Sequence, residues 1–281
     1  VDESKQWICP TCNGTVTSPF CPGCGENGRN TQEPTFRVLL SHLFEAFTNI
    51  DSRFLRSFRD LVSRPGDLTN AYLRGQRKPY LGPVTLFLII NVLFFAVESL
   101  TGGKVFTTPL DSHLHTQPWS NVIKDVVARK LESEQTTVAA YAPVFDQAVA
   151  IKARSLIIFM ALVFALVTAL MFLRSRRSLV AHVVFSLHIY AFVLLLLCVA
   201  TAFQAGGALL GGTRFYSDPM DHAISVGILV ASSVYLYFAA RTVYGARGFA
   251  LVFKTFALTV AVAAVVLGYR FVLLLITLYS T

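Results

Sequence analysis

Residues 34–95 read PTFRVLLSHLFEAFTNIDSRFLRSFRDLVSRPGDLTNAYLRGQRKPYLGPVTLFLIINVLFF. Apolar residues fall at 36, 39, 40, 43, 44, 47, 50, 54, 55, 58, 61 and 62. Steps of three and four make one continuous apolar face on a helix, or on two helices broken near Asn49-Ile50-Asp51. Arg64-Pro65-Gly66 ends that pattern, since proline disfavours helical geometry at the residue before it and glycine accepts a left-handed turn. Asp67 can then cap a short helix to Arg74, which Gly75 ends. From Pro83 onward the chain is apolar for long enough to enter a membrane.

The rest of the chain agrees with that reading. Hydrophobic residues make up 54% of its 281 residues, and a mean hydropathy of +0.58 is not a soluble balance. Five stretches are long enough to cross about 30 Å of hydrocarbon, which takes roughly 20 helical residues. They lie at Pro83–Leu100, Ser155–Leu173, Leu179–Phe203, Ala223–Val243 and Thr255–Ser280. None alternates like a strand, so the expected fold is all-α and polytopic, with five transmembrane helices. The expected divisions are a cysteine head with linker over 1–33, amphipathic helices and a basic turn over 34–80, and the transmembrane domain over 81–281. Most of the 24 Lys and Arg residues fall in 1–80, in the 174–178 turn and after the fourth span. The positive-inside rule makes that side cytoplasmic and, with five spans, puts the C-terminus outside. No cleavable signal pattern opens the chain, so the first span is expected to act as an uncleaved anchor.

Cys9-Pro-Thr-Cys12 and Cys21-Pro-Gly-Cys24 are the most specific pattern present. Two CxxC knuckles offer four thiolates that can close a tetrahedron around one structural Zn2+. A unit this small has little apolar mass, so the metal would supply most of its folding free energy, on the order of 10 kcal/mol. Two disulfides or a redox pair are the competing readings. A cytoplasmic location and the lack of βαβ context count against them. Cys198, within the third span, reads as a small packing residue.

Arg53, Arg56 and Arg59 fall off the apolar face, and Arg64, Arg74, Arg77 and Lys78 follow before Tyr80. Such a segment can lie in the headgroup layer, with Phe and Leu in the acyl boundary and the cations on phosphates. Packing of the apolar face against the spans, and plain positive-inside anchoring of the basic turn, explain the same residues. The expected partners are membrane lipids with anionic headgroups, and a second copy or a larger membrane complex. Nucleic acid is not expected, because no Lys or Arg lies between Cys9 and Cys24.

Taken together, Asp51-Ser52-Arg53-Phe54, Arg59-Asp60-Leu61, Arg64-Pro65-Gly66, the Tyr72, Gly75, Arg77, Tyr80 run, His182 to His188 and Val243-Tyr244-Gly245 resemble a bacterial family of uncharacterised membrane proteins, domain of unknown function 3667. The resemblance covers most of the chain except 101–152. It implies a zinc-ribbon-headed inner-membrane protein and no known activity. Asn13 between Cys12 and Gly14 departs from the family's knuckle.

Between the first two spans, Trp119, Val122, Ile123, Val126, Val127 and Leu131 repeat at helical steps, and Val138 to Arg154 suits a second helix interrupted by Pro143. His113 and His115 lack a third ligand nearby, so no metal is expected there. Gln204 to His222 is a Gly-rich loop with no phosphate-binding pattern. Asn91, Glu98, His182, His188 and Arg270 are the intramembrane polar residues, each a functional candidate or a helix–helix contact. His182 and His188 lie roughly 120° apart on a helix and cannot easily share a metal. Glu98 and Arg270 fall at matching depth, about 22 Å along their spans, which suggests an ion pair between the first and fifth helices. Internal repeats that would mark a rocking transporter are not visible, and the His-rich clusters usual in intramembrane oxygenases are lacking, so an enzyme ranks behind the other readings. The favoured function is binding or moving a lipid or small solute through an interior lined by Asn91, His182 and His188. The alternative is a non-catalytic accessory or assembly subunit of a larger membrane complex.

Overall fold

The computed structural model describes residues 6–28, 52–209 and 218–281. The expected helix between Phe36 and Ile50 therefore lies outside the described residues. Strands β1 (Trp7–Ile8) and β2 (Thr15–Val16) form an antiparallel hairpin. Two short helices follow, α1 (Ser52–Ser63) and α2 (Asp67–Leu73). The first span is α3 (Pro83–Thr101), entered through Gly82-Pro83, where proline's missing N–H costs nothing. Helices α4 (Leu110–His115), α5 (Ser120–Ser133) and α6 (Val138–Leu156) form the next connection. Then come α7 (Ile158–Met171), α8 (Leu179–Leu209), α9 (Asp218–Tyr244) and α10 (Gly248–Ser280).

Helices α3, α8, α9 and α10 are each long and apolar enough to cross a membrane, and α6 with α7 makes a fifth candidate, bent by 48°. The protein is thus an all-α multi-pass membrane protein with a cysteine-rich head. Helix α8 is the centre of the bundle: 72% of its apolar window is buried, against 28% for α9 and for α10. Helices α3 and α7 pack on α8, and α10 packs on α9, α7 and α6. Lipid-facing side chains such as Val230 and Phe238 on α9, or Phe253 and Phe256 on α10, are accordingly exposed.

Four expectations need correction. The second span is not one helix over Ser155–Leu173: α7 is only 14 residues long, and the backbone breaks at Ile157, so the crossing needs the bent partner α6. Pro143 does not interrupt α6. It sits near the start on the exposed side, where the carbonyl it leaves unpaired can reach water. The loop over Gln204–His222 is shorter than expected, because α8 continues to Leu209 and α9 begins at Asp218. Lastly, α3 does not pack side by side with α10; its main neighbour is α8.

The basic segments gather at one end. Arg177 Nη2 donates to Val243 O at 3.1 Å, and Lys254 Nζ lies 4.4 Å from the Phe172 ring centroid. Phe172 stacks on Tyr244 at 3.9 Å. At the other end Tyr141 and Thr281 share a hydrogen bond at 2.5 Å, so α6 and the last residue meet there. The 174–178 turn and the α9–α10 turn are therefore neighbours.

Helix α2 is wedged against α9 through Gly66, the residue that starts it in a left-handed conformation (φ 89°). A Cβ at this position would stand 2.9 Å from Thr242 Cβ and 3.0 Å from Ala239 O. Gly66→Ala should lower stability by about 1–3 kcal/mol from backbone strain, and further from the clash. Gly245→Ala has similar strain (φ +64°) with nothing within 4 Å. Thermal unfolding in detergent should show Gly66→Ala as the more damaging change.

Candidate metal centre and its membrane collar

The two knuckles are built alike. Cys9 N donates to Gly14 O and Asn13 N to Cys9 O, both at 2.9 Å, while Cys21 N donates to Glu26 O and Gly25 N to Cys21 O, both at 2.8 Å. Each turn needs a left-handed residue after its second cysteine. Gly25 supplies it at φ 72° and Asn13 at φ 56°. Asparagine is among the few non-glycine residues that accept this region readily, so Asn13 serves the first knuckle as Gly25 serves the second. Backbone N–H groups also point at the sulfurs: Gly14 at Cys12, Gly23 and Cys24 at Cys21, and Glu26 at Cys24.

All four Sγ atoms lie within 4.8 Å of one another. Cys9 and Cys24 are 3.4 Å apart, as are Cys12 and Cys21. A tetrahedral metal with bonds of about 2.3 Å sets its sulfurs about 3.8 Å apart, so the four thiols fit a metal ion. All four are free cysteines rather than disulfides. Without a metal, burial pushes the Cys24 thiol up to about 12; a bound cation would reverse that and hold all four as thiolates. Cys198 is buried in α8, away from the head.

The head is docked on the basic turn before α3, through a residue that the sequence did not single out. Glu26 is 0% exposed. Its Oε2 accepts from Lys78 N at 3.0 Å, Arg77 N at 3.1 Å and Thr11 Oγ1 at 2.9 Å. Gln76 Nε2 donates to Pro10 O beside it. Three donors make the burial of this carboxylate tolerable. Only its place two residues after Cys24 could have drawn attention to Glu26, and that spacing carries no periodic signal.

The turn is joined to α1 and α2, and these to the spans. Asp60, 2% exposed, accepts from Tyr80 Oη at 3.0 Å and from Arg59 Nε at 3.0 Å. Burial and the Asp60 carboxylate push the Tyr80 phenol up, so it remains a donor. Ser57 Oγ accepts from Leu81 N at 2.9 Å, and Tyr235 Oη donates to Leu61 O at 2.7 Å. Asn70 Nδ2 donates to Thr242 O at 2.9 Å. The buried side of α1 is thus Ser57, Asp60 and Leu61, while Leu55 and Val62 stay exposed. Residues 52–81 form a collar between head and bundle.

The expected site residues separate into groups. Arg56, Arg59, Arg64, Arg74 and Lys78 are exposed on the collar, and Arg53 is half-buried. Arg77 is not a free surface cation: it is half-buried, 4.9 Å above the Tyr72 ring. The histidines do not line a common interior. His182 Nδ1 meets Tyr244 Oη at 2.8 Å and stacks on that ring, whereas His188 Nδ1 meets Thr69 Oγ1 of α2 at 2.9 Å. Asn91 Nδ2 points to Arg154 O at 3.4 Å. Each goes to a different helix, as their angular separation requires. His113 and His115 likewise go apart, to Trp119 and to Asp111.

No ion pair joins Glu98 to Arg270 among the described residues. Glu98 is capped by its own chain instead: Phe106 N donates to its Oε1 at 3.2 Å, with the Val105 and Thr107 amides also directed at the carboxylate. A short side chain at a helix end is reached sooner by the turn that follows than by a guanidinium on another helix.

Residues 51–95 match the model of a family described as a protein of unknown function, DUF3667. The match covers α1, α2 and most of α3, which is the collar and its entry into the bundle. No curated protein and no solved structure matches the chain. Glu26→Ala should free the Arg77 and Lys78 amides, raising their hydrogen exchange about 10- to 100-fold. Exchange unchanged at these two amides would show that the head is held some other way. By this match the chain is similar, across its collar, to a family of unknown function.

Proposed function

We propose that the chain is an integral membrane protein whose head holds one structural Zn2+ and whose collar binds anionic lipid headgroups. The observation that carries the lipid reading is the surface of the collar. Arg56, Arg59, Arg64, Arg74 and Lys78 are exposed there, beside Leu55 at 70% and Val62 at 47% exposure. Exposed apolar side chains flanked by arginines suit the headgroup boundary, where the cations meet phosphates and the leucine enters the acyl layer. Four converging thiols favour zinc, which prefers closed tetrahedral sulfur sites and has no redox chemistry there.

The basic end is cytoplasmic in this reading, by the positive-inside rule, and the resemblance points to a bacterial inner membrane. Lipid binding is preferred over passage of a solute, because Asn91, His182 and His188 are each engaged by a different neighbour. A second reading, an accessory subunit of a larger complex, is favoured by Ile8 at 65% and Phe20 at 57% exposure on the head.

Native mass spectrometry of protein released from nanodiscs that contain phosphatidylglycerol and phosphatidylcholine tests the choice. Retained phosphatidylglycerol, reduced several-fold in an Arg56→Gln, Arg59→Gln, Arg74→Gln variant and by raised salt, is the expected outcome. A stoichiometric protein partner with no lipid preference would favour the accessory subunit. Orientation is read separately: a single cysteine placed at Ser112 should react with a reagent that does not cross the membrane.

A further inference from the structure

Among the described residues, Arg270 is a cation of the spans whose guanidinium carries a buried nitrogen without an acceptor. Its Nε is buried and has no hydrogen-bond partner, and no carboxylate lies within ion-pair distance among the described residues. Two carboxylates of the adjoining segments have backbone partners. Glu98 is capped by backbone amides, and Asp146 Oδ1 accepts from Leu110 N at 2.9 Å.

The surroundings are cationic and aromatic. Tyr269 Oη donates to Ala153 O at 2.7 Å, which sets residues 269–270 against 153–154. Arg154 is exposed, and its guanidinium lies 5.9 Å from the Phe95 ring centroid. Both Arg154 and Arg270 act electrostatically on Glu98, so two guanidiniums stand around one carboxylate. Trp119 packs edge-on to Phe271 at 5.3 Å, and its Nε1 donates to His113 Nδ1 at 3.2 Å. That bond needs an unprotonated Nδ1. Burial, with Arg270 nearby, lowers the His113 imidazole to about 4, so it adds no charge of its own. The coupled groups here are thus two guanidiniums and one carboxylate.

Position narrows the ligand. Arg270 lies about 24 Å along α10 from Lys254, near the far boundary of a hydrocarbon layer of about 30 Å. An aromatic residue and a guanidinium at that depth meet headgroup phosphates. Arginine also matches a phosphate with two parallel N–H groups.

We propose that Arg270, with Arg154 beside it, forms a phosphate-binding site at the end of the bundle opposite the metal head. The ligand is a phosphate group, presented either by a lipid headgroup of that leaflet or as free inorganic phosphate. The site is separate from the collar and needs only that the helices span a membrane.

The test uses the full chain carrying Trp7→Phe, so that Trp119 is its one tryptophan, in dodecylmaltoside micelles, titrated with dioctanoyl phosphatidylglycerol and, separately, with inorganic phosphate, and read by tryptophan fluorescence. Trp119 reports because it packs on Phe271, next to Arg270. This parent chain should give a saturable change. Arg270→Gln should weaken it about tenfold or more, as for a lost charge-assisted contact, while Arg56→Gln with Arg59→Gln leaves it unchanged. A response to the lipid alone identifies a headgroup; a response to both identifies phosphate itself. Arg154→Gln, at an exposed position, should weaken binding several-fold and keeps the test decisive if Arg270→Gln does not fold. Equal titration curves for the parent chain and whichever of these variants folds, or a response abolished by the collar changes alone, would overturn the proposal.

Discussion

A polar group in hydrocarbon must find its partner inside the protein or cost several kcal/mol, and most of this architecture follows from that constraint. Among the described residues of the spans, His182, His188, Asn91 and Glu98 each make a hydrogen bond to a neighbouring element, although Asn91 Oδ1 is left without a partner. Glu98 is capped by the turn that follows it, His182 by the tyrosine that ends α9, and His188 by a threonine of the collar. Such contacts fix which helices can be neighbours. The interior is therefore better described as a set of separate helix–helix joints than as a polar path, and the buried Arg270 Nε takes part in none of them.

The second constraint acts on the head. Between Cys9 and Glu26 the buried apolar cluster consists of Cys9, Val16 and Cys21, with Trp7 and Cys24 against it. That is too little to fold a unit alone. Cross-linking by a metal would supply the missing free energy, and Glu26 would pass the resulting rigidity to the membrane. Its backbone closes the second knuckle, and its carboxylate holds the amides of the turn that leads into α3. Head, collar and bundle form a connected series of hydrogen bonds from Cys21 to His188.

The parts of this arrangement that follow from period and spacing were legible in the sequence. The apolar runs marked the spans at α3, α8, α9 and α10 to within a few residues at most ends, and the paired CxxC motifs marked the four thiols that converge where a metal could be held. Contacts between distant segments were not legible. Glu26 has no periodic context, and Thr69 looks like any residue of a short helix, yet each closes a contact across the chain. The break at Ile157 was hidden because the apolar composition runs on through it. The supposed Glu98–Arg270 pair failed for a related reason: equal depth is readable along a helix, but which helices touch is not.

Elemental analysis of the purified chain, combined with thiol titration, tests the metal-built head most directly. One zinc per chain is expected, with Cys9, Cys12, Cys21 and Cys24 protected until a chelator removes the metal and the head unfolds while the spans stay inserted. No bound metal, with four thiols that titrate freely in a head that is still folded, would contradict it.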